Sequence, residues 1–167
     1  SYQCRNVTVS NNAIYVNGHG YTYGITIAAN NSIIRDNVVN VSSNLYACGI
    51  QIDGPSSGLN VKSNAINITS ERYTYGIYSY RIYGDINNMS YINNAIDARS
   101  YAACGIEAVE RNPTISQNHI NVYGNYTAGI VVKPNSNITI SDNEIGSFGS
   151  NVGNESTGDS FILKERR

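Results

Sequence analysis

Tyr-Thr-Tyr-Gly-Ile occupies residues 21–25 and returns unchanged at residues 73–77. A near copy, YACGI, lies between them at Tyr46–Ile50, and the variants AACGI and YTAGI end at Ile106 and Ile130. The Gly of this unit falls at Gly24, Gly49, Gly76, Gly105 and Gly129, with successive spacings of 25, 27, 29 and 24 residues. A second marker runs out of phase with it, an Asn two residues before an Ile or Val. It falls at Asn12, Asn37, Asn64, Asn94, Asn118 and Asn143, spaced by 25, 27, 30, 24 and 25 residues. A recurring period of this length marks an architecture of stacked repeats. Six occurrences of the Asn predict about six turns of a solenoid, with about 25 residues in each.

The two markers divide each turn unequally. From Asn to the next Gly is always 11 or 12 residues, whereas from Gly to the next Asn is 13 to 18. One arc is fixed and the other carries insertions, which in stacked repeats collect in loops on one face. Local hydrophobicity has a period of two, the strand signature. Val9, Ile34, Val61, Tyr91, Ile115 and Ile140 stand three residues before each Asn, and Ile14, Val39, Ile66, Ile96, Ile120 and Ile145 two after it. Val16, Val41, Ile68, Ala98, Val122 and Ser147 stand four after it. Ile25, Ile50, Ile77, Ile106 and Ile130 follow the Gly directly, with Ile27, Ile52, Ser79, Ala108 and Val132 two further on. Each turn is thus predicted to hold three short strands with these columns facing inward. The Asn column sits at a corner, where a left-handed residue turns the chain and stacked amides bond up and down the rod.

Composition agrees with an all-β chain. Asn occurs 25 times and Tyr 14 times, Trp is absent, and charged residues make up 14%, against about 25% in ordinary domains. Asn favours turns over helices. The net charge of −1 gives no basic footprint for nucleic acid or for an anionic membrane. No apolar run approaches the ~18 residues that span a bilayer, and no signal peptide is visible. The chain opens at SYQCRNVTVS, already in a strand pattern and without an initiator Met. It reads as a processed or excised piece of something longer.

Parallel strands repeating at this interval cannot be hairpins. The segments ITISDNEI (138–145), LNVKSNAINI (59–68) and PTISQNHINV (113–122) resemble the short repeat of the right-handed parallel β-helix of the pectin-lyase-like superfamily. The resemblance covers about Val7 to Ser147 and implies that fold for residues 1–150. Residues 151–167 break the repeat. They are expected to form a C-terminal cap or tail, with Phe161, Ile162 and Leu163 folding over the last turn. No cap is legible at the start, so the first turn is expected to stack on a preceding domain or another copy.

The resemblance implies that any ligand site lies on the sheet following the Gly markers, beside the variable loops. Outward positions there are Gln51, Asp53, Tyr78, Tyr80, Arg81, Glu107, Glu110, Arg111 and Lys133, next to the longest insertion. If the chain were an enzyme, Asp53 and Glu107 would act as acid and base, with Arg81 and Lys133 holding an acidic sugar. Two turns of separation put the carboxylates on the order of 10 Å apart, long for an inverting glycosidase and too long for a retaining one. The catalytic motifs of the superfamily's lyases and polygalacturonases are not found. The same residues without catalysis form a glycan-binding strip: Gln51, Asp53, Tyr78, Tyr80, Arg81, Glu107, Glu110 and Lys133. Tyr21, Tyr46, Tyr73 and Tyr126 form a Tyr column broken at Ala102. It serves either as stacking on a corner or as a sugar-stacking strip.

No cofactor and no metal site is expected: His19 and His119 lie about four turns apart, and there is no Asp cluster or His/Cys/Met set. Cys48 and Cys104 share a column two turns apart, beyond the ~7 Å reach of a disulfide. Their parity with the inward Ile predicts small core residues, and Cys4 has no partner in this register. Asn-x-Ser/Thr triplets stand at Asn6, Asn30, Asn40, Asn67, Asn88, Asn125, Asn137 and Asn154, read as unmodified surface or as glycosylation sites. Low charge, Asn and Tyr richness and the missing motifs predict a non-catalytic module of an extracellular or cell-surface protein. It is expected to act as a rigid stalk of adhesin-like type, with a polysaccharide or cell-surface glycan as ligand. Alternatives from other classes are a polysaccharide-acting enzyme fragment, lyase or glycosidase, and a self-assembling sheath or phage tail-fibre element.

Overall fold

The computed structural model describes residues 4–80, 85–132, 137–152 and 161–163, with side chains described except at 80, 151, 152 and 161–163. The chain is an all-β parallel solenoid, and no helix occurs among the described residues. Two six-stranded parallel sheets and a seven-stranded third sheet form its walls. Sheet one holds Thr8–Ser10, Ile33–Arg35, Asn60–Lys62, Ser90–Ile92, Thr114–Ser116 and Thr139–Ser141. Sheet two holds Ala13–Gly18, Val38–Ser43, Ala65–Ser70, Ala95–Arg99, His119–Tyr123 and Glu144–Phe148. Sheet three holds Tyr21–Ile27, Tyr46–Asp53, Tyr73–Tyr80, Ala102–Ala108, Tyr126–Val132 and Asn151–Val152, with Phe161–Leu163 antiparallel to Tyr126–Val132. Six levels enclose about five complete turns, where the repeat count predicts six, because the last marker opens a turn that the repeat does not close. Two-residue strands add a fourth strip, pairing Cys4–Arg5 with Ala29–Asn30 and Ser56–Ser57 with Ile86–Asn87.

Strand register stacks the predicted columns level on level. Val9, Ile34, Val61, Tyr91, Ile115 and Ile140 align in sheet one, and Ile25, Ile50, Ile77, Ile106 and Ile130 in sheet three. Away from the ends these side chains are fully buried. β-Branched residues dominate because they suit a pleated, packed surface.

The Asn ladder is continuous. The backbone N–H and the Nδ2 of Asn12, Asn37, Asn64, Asn94 and Asn118 each donate to Oδ1 of the next Asn, at 2.8 to 3.1 Å. Each later amide also donates to a sheet-one carbonyl one level below, as Asn64 does to Ile34 O at 3.0 Å and Asn94 to Val61 O at 2.9 Å. Every buried amide therefore ties three levels together.

The ladder Asn is not itself left-handed. The sharp turn is made by the residue before it: Asn11, Asp36, Ser63, Asn93, Gln117 and Asp142 have φ of 54° to 58°. A second left-handed corner stands five residues earlier, at Asn6, Asn31, Gly58, Asn88 and Asn112. The pair of corners confines sheet one to three-residue strands.

In sheet three, alternation breaks at the Gly. A Cβ on Gly49 would stand 2.3 Å from Ile66 Cγ2 and 2.6 Å from Gly76 O. Gly and the following Ile thus both face the core, and only Gly fits. A further inward column follows two residues before the Gly: Thr22, Ala47, Thr74, Ala103 and Thr127, all buried. The skipped beat corrects the parity argument for the cysteines. Cys48 and Cys104 are buried and free, but they share their register with Tyr23, Tyr75 and Ala128 on the outer side. They are buried outside the aliphatic core cluster, beside Tyr46 and Tyr75 respectively.

Candidate functional site

The outer side of sheet three carries the predicted strip. Its aromatic contacts run Tyr21–Tyr46 at 5.3 Å, Tyr46–Tyr75 at 5.5 Å and Tyr75–Tyr78 at 4.8 Å between ring centroids, with Tyr23 at 5.8 Å from Tyr46. The stack leaves the predicted column after Tyr46, because Tyr75 faces outward beside it. Tyr73 remains exposed, and Tyr126 packs edge-on against Tyr101 at 5.3 Å. Burial pushes the phenols of Tyr46 and Tyr75 up, with smaller contributions from Cys48 beside Tyr46 and Glu107 beside Tyr75. Burial likewise raises the thiols of Cys48 and Cys104, helped by Asp53 and Glu107 respectively. Buried, protonated thiols are poor nucleophiles and poor metal ligands.

Of the predicted polar residues, Gln51, Asp53, Tyr78 and Glu107 lie on neighbouring levels of this face, while Glu110 does not. Gln51 is buried and donates through Nε2 to Asp53 Oδ1 at 2.9 Å. Glu107 shares a column with Gln51 and Tyr78, while Asp53 pairs with Tyr80. Two strands and two residues of offset set the Asp53 and Glu107 backbones roughly 12 Å apart, and Asp53 Oδ1 is already engaged by Gln51. Arg81 and Lys133 lie outside the described residues, as does the side chain of Tyr80.

Glu110 corrects the outward assignment outright. It is 2% exposed, takes a 2.6 Å hydrogen bond on Oε1 from Tyr91 Oη, and is bonded by Ser79 Oγ on Oε2. Ser79 Oγ also accepts from Val109 N at 2.8 Å. Burial raises the Glu110 carboxyl above the usual range, opposed by the Ser79 and Tyr91 hydrogen bonds. The signal was Tyr91 itself, since a tyrosine in a core column needs a buried acceptor for its hydroxyl.

The outer side of sheet two holds residues the strip left out. One column reads Tyr15, Asn40, Asn67, Asp97, Asn121, Gly146, and the next Asn17, Ser42, Thr69, Arg99, Tyr123, Phe148. Its later levels are internally matched. Arg99 bonds Asp97 at 2.7 and 2.9 Å and lies 3.9 Å over the Tyr123 ring, which stacks on Phe148 at 4.8 Å. His119, outward as predicted, meets Glu144 at 2.9 Å and Asn121 at 3.0 Å. Its early levels form a shallow concavity of about 330 Å³ lined by Tyr15, Asn17, Asn40, Ser42, Asn67 and Thr69. Spacing could have found it: these residues stand three and five places after the ladder Asn. Among the described residues no group of three or more His, Cys, Asp or Glu could hold a metal ion.

Comparison with protein-family models, curated proteins and solved structures gave no match. The parallel β-helix stands on the strand pairing itself, and the superfamily affiliation drawn from the repeat has no such match behind it.

Proposed function

We propose that the chain is a non-catalytic β-helix module of an extracellular or cell-surface protein, a rigid spacer whose outer surface binds glycan. The continuous Asn ladder carries this reading, because buried amides tied across every level resist bending and fix the length. Six levels at ~4.8 Å per rise give about 24 Å of rod. Tyrosines stacked on sheet three supply aromatic surface suited to sugar rings. The Asp53 carboxylate engaged by Gln51 and the buried Glu110 favour binding over turnover. Kinship with adhesin-like members of the pectin-lyase-like superfamily belongs to this proposal, as does a capping role for residues 151–167, supported by the pairing of Phe161–Leu163.

One observation favours a second reading, in which turns stack between subunits or domains. The first-level strands Thr8–Ser10, Ala13–Gly18 and Tyr21–Ile27 pair on one side only among the described residues. An open edge of this kind is a template for another strand.

A glycan-array screen tests the primary reading, each hit being incubated and assayed for new reducing ends or unsaturated products. Binding without turnover is the expected result. Turnover lost in Glu107→Gln would make the chain an enzyme instead. Absence of any hit would leave the stacking reading ahead.

A further inference from the structure

We propose that the concavity on sheet two, walled by Tyr15 and lined by Asn17, Asn40, Ser42, Asn67 and Thr69, binds a neutral oligosaccharide. This inference rests on the glycan-binding reading and moves its site from the sheet where the sequence placed it to the neighbouring one.

The chemistry of the lining selects the ligand class. Its six named residues carry no charge, which removes the attraction an acidic or basic ligand would need. Amides and hydroxyls both donate and accept, as sugar hydroxyls do. The groups also stand ready. Asn67 Nδ2 donates to Asn40 Oδ1 at 3.2 Å, while Asn17, Ser42 and Thr69 make no side-chain hydrogen bond within the described protein. From the next level onward along the same face, Asp97, Arg99, Tyr123 and Phe148 engage one another. One sheet face is thus divided into a charged half whose side chains engage one another and a neutral half whose polar groups are open to solvent.

Tyr15 supplies the apolar surface. It is 75% exposed, and no ring contact holds it, unlike Tyr123 against Phe148. A large aromatic left in water beside unpaired polar groups has the composition of binding pockets, in which an aromatic surface is oriented by a few polar groups. Strand spacing places Asn40 and Asn67 one level apart, so successive sugars along the rod axis would meet successive amides.

Asn40 and Asn67 also stand in Asn-x-Ser/Thr triplets with Ser42 and Thr69. The protein for the test is therefore made in a host without N-glycosylation. Isotope-labelled protein is titrated with neutral tetraoses of glucose, mannose, galactose and xylose, and with tetragalacturonate, following backbone amide resonances. A neutral tetraose is expected to shift the amides of residues 15–17, 40–42 and 67–69. Tyr15→Ala should weaken it about tenfold or more, as loss of a central aromatic contact does, while Tyr101→Ala, at an exposed tyrosine outside the concavity, leaves it unchanged. Asn67→Asp, which keeps size and adds charge, should weaken it too. Shifts confined to residues 46–53 and 73–80, indifferent to Tyr15→Ala, would overturn the groove and keep the glycan reading. Tetragalacturonate in the groove in preference to the neutral sugars would overturn the ligand class. No shift on either face with any tetraose would overturn both.

Discussion

Glu110 illustrates what one side chain can do inside a closed coil. Its carboxyl is buried between Tyr91 and Ser79, and burial raises its proton affinity in the folded state. An acid whose folded pKa is raised stabilises the fold fully below its ordinary value of 4.5. That contribution is lost as pH rises through the folded pKa, because the unfolded chain releases the proton more readily. Wild-type stability should therefore fall from pH 4 towards neutrality. Glu110→Gln, which keeps the shape and cannot ionise, should flatten that slope and melt higher than wild type at pH 7. Thermal melts of both proteins across this range check it, and parallel curves would show that Glu110 is not the group responsible. The sequence hid this residue because it follows the regular columns, in an arc whose length varies between turns. The ladder Asn, by contrast, was legible at all six levels. A polar residue at fixed distance before a β-branched one has few other uses in a repeat.

At the scale of the strand, the decisive device is the Gly-Ile pair of sheet three. Period-two reading found the Ile columns, since they lie on one side of the Gly, and failed across it. Two consecutive inward residues shift the beat, which sent Cys48, Cys104 and Tyr75 outward. No hydrophobicity pattern reveals this, because Gly leaves no side chain to count. Gly49→Ala should be costly, roughly 1–3 kcal/mol or more, as its Cβ would meet Gly76 O and Ile66 Cγ2. Gly20→Ala, whose Cβ meets nothing within 4 Å, should change stability by less than about 0.5 kcal/mol. Urea titrations of the two variants separate these outcomes, and equal costs would mean that Gly49 does not face the core. The left-handed corners were half legible. Asn or Gly stands six residues before each ladder Asn, at Asn6, Asn31, Gly58, Asn88, Asn112 and Asn137. The residue directly before the ladder varies among Asn, Asp, Ser and Gln, too widely for a turn signal.

For the whole molecule, repetition turns local choices into a rod. Stacking level on level aligns core columns, amides and outer faces together, so the fold was readable from spacing alone. Function was not, because the outer faces are where the repeat is free to vary. The Tyr and charge density after the Gly drew attention to sheet three, whereas an open neutral concavity formed on sheet two. Both faces depend on the same register, and the Asn ladder holds it. Native-state amide exchange in Asn64→Ala tests that claim most directly. The Asn37 amide donates to Asn64 Oδ1 and the Asn94 amide to Asn118 Oδ1. Loss of Asn64 should destabilise the chain by roughly 2 kcal/mol or more. It should speed exchange at Asn37 well beyond that global loss while Asn94 follows the global change alone. Equal effects at the two amides, or none, would contradict a stacked coil held by this ladder.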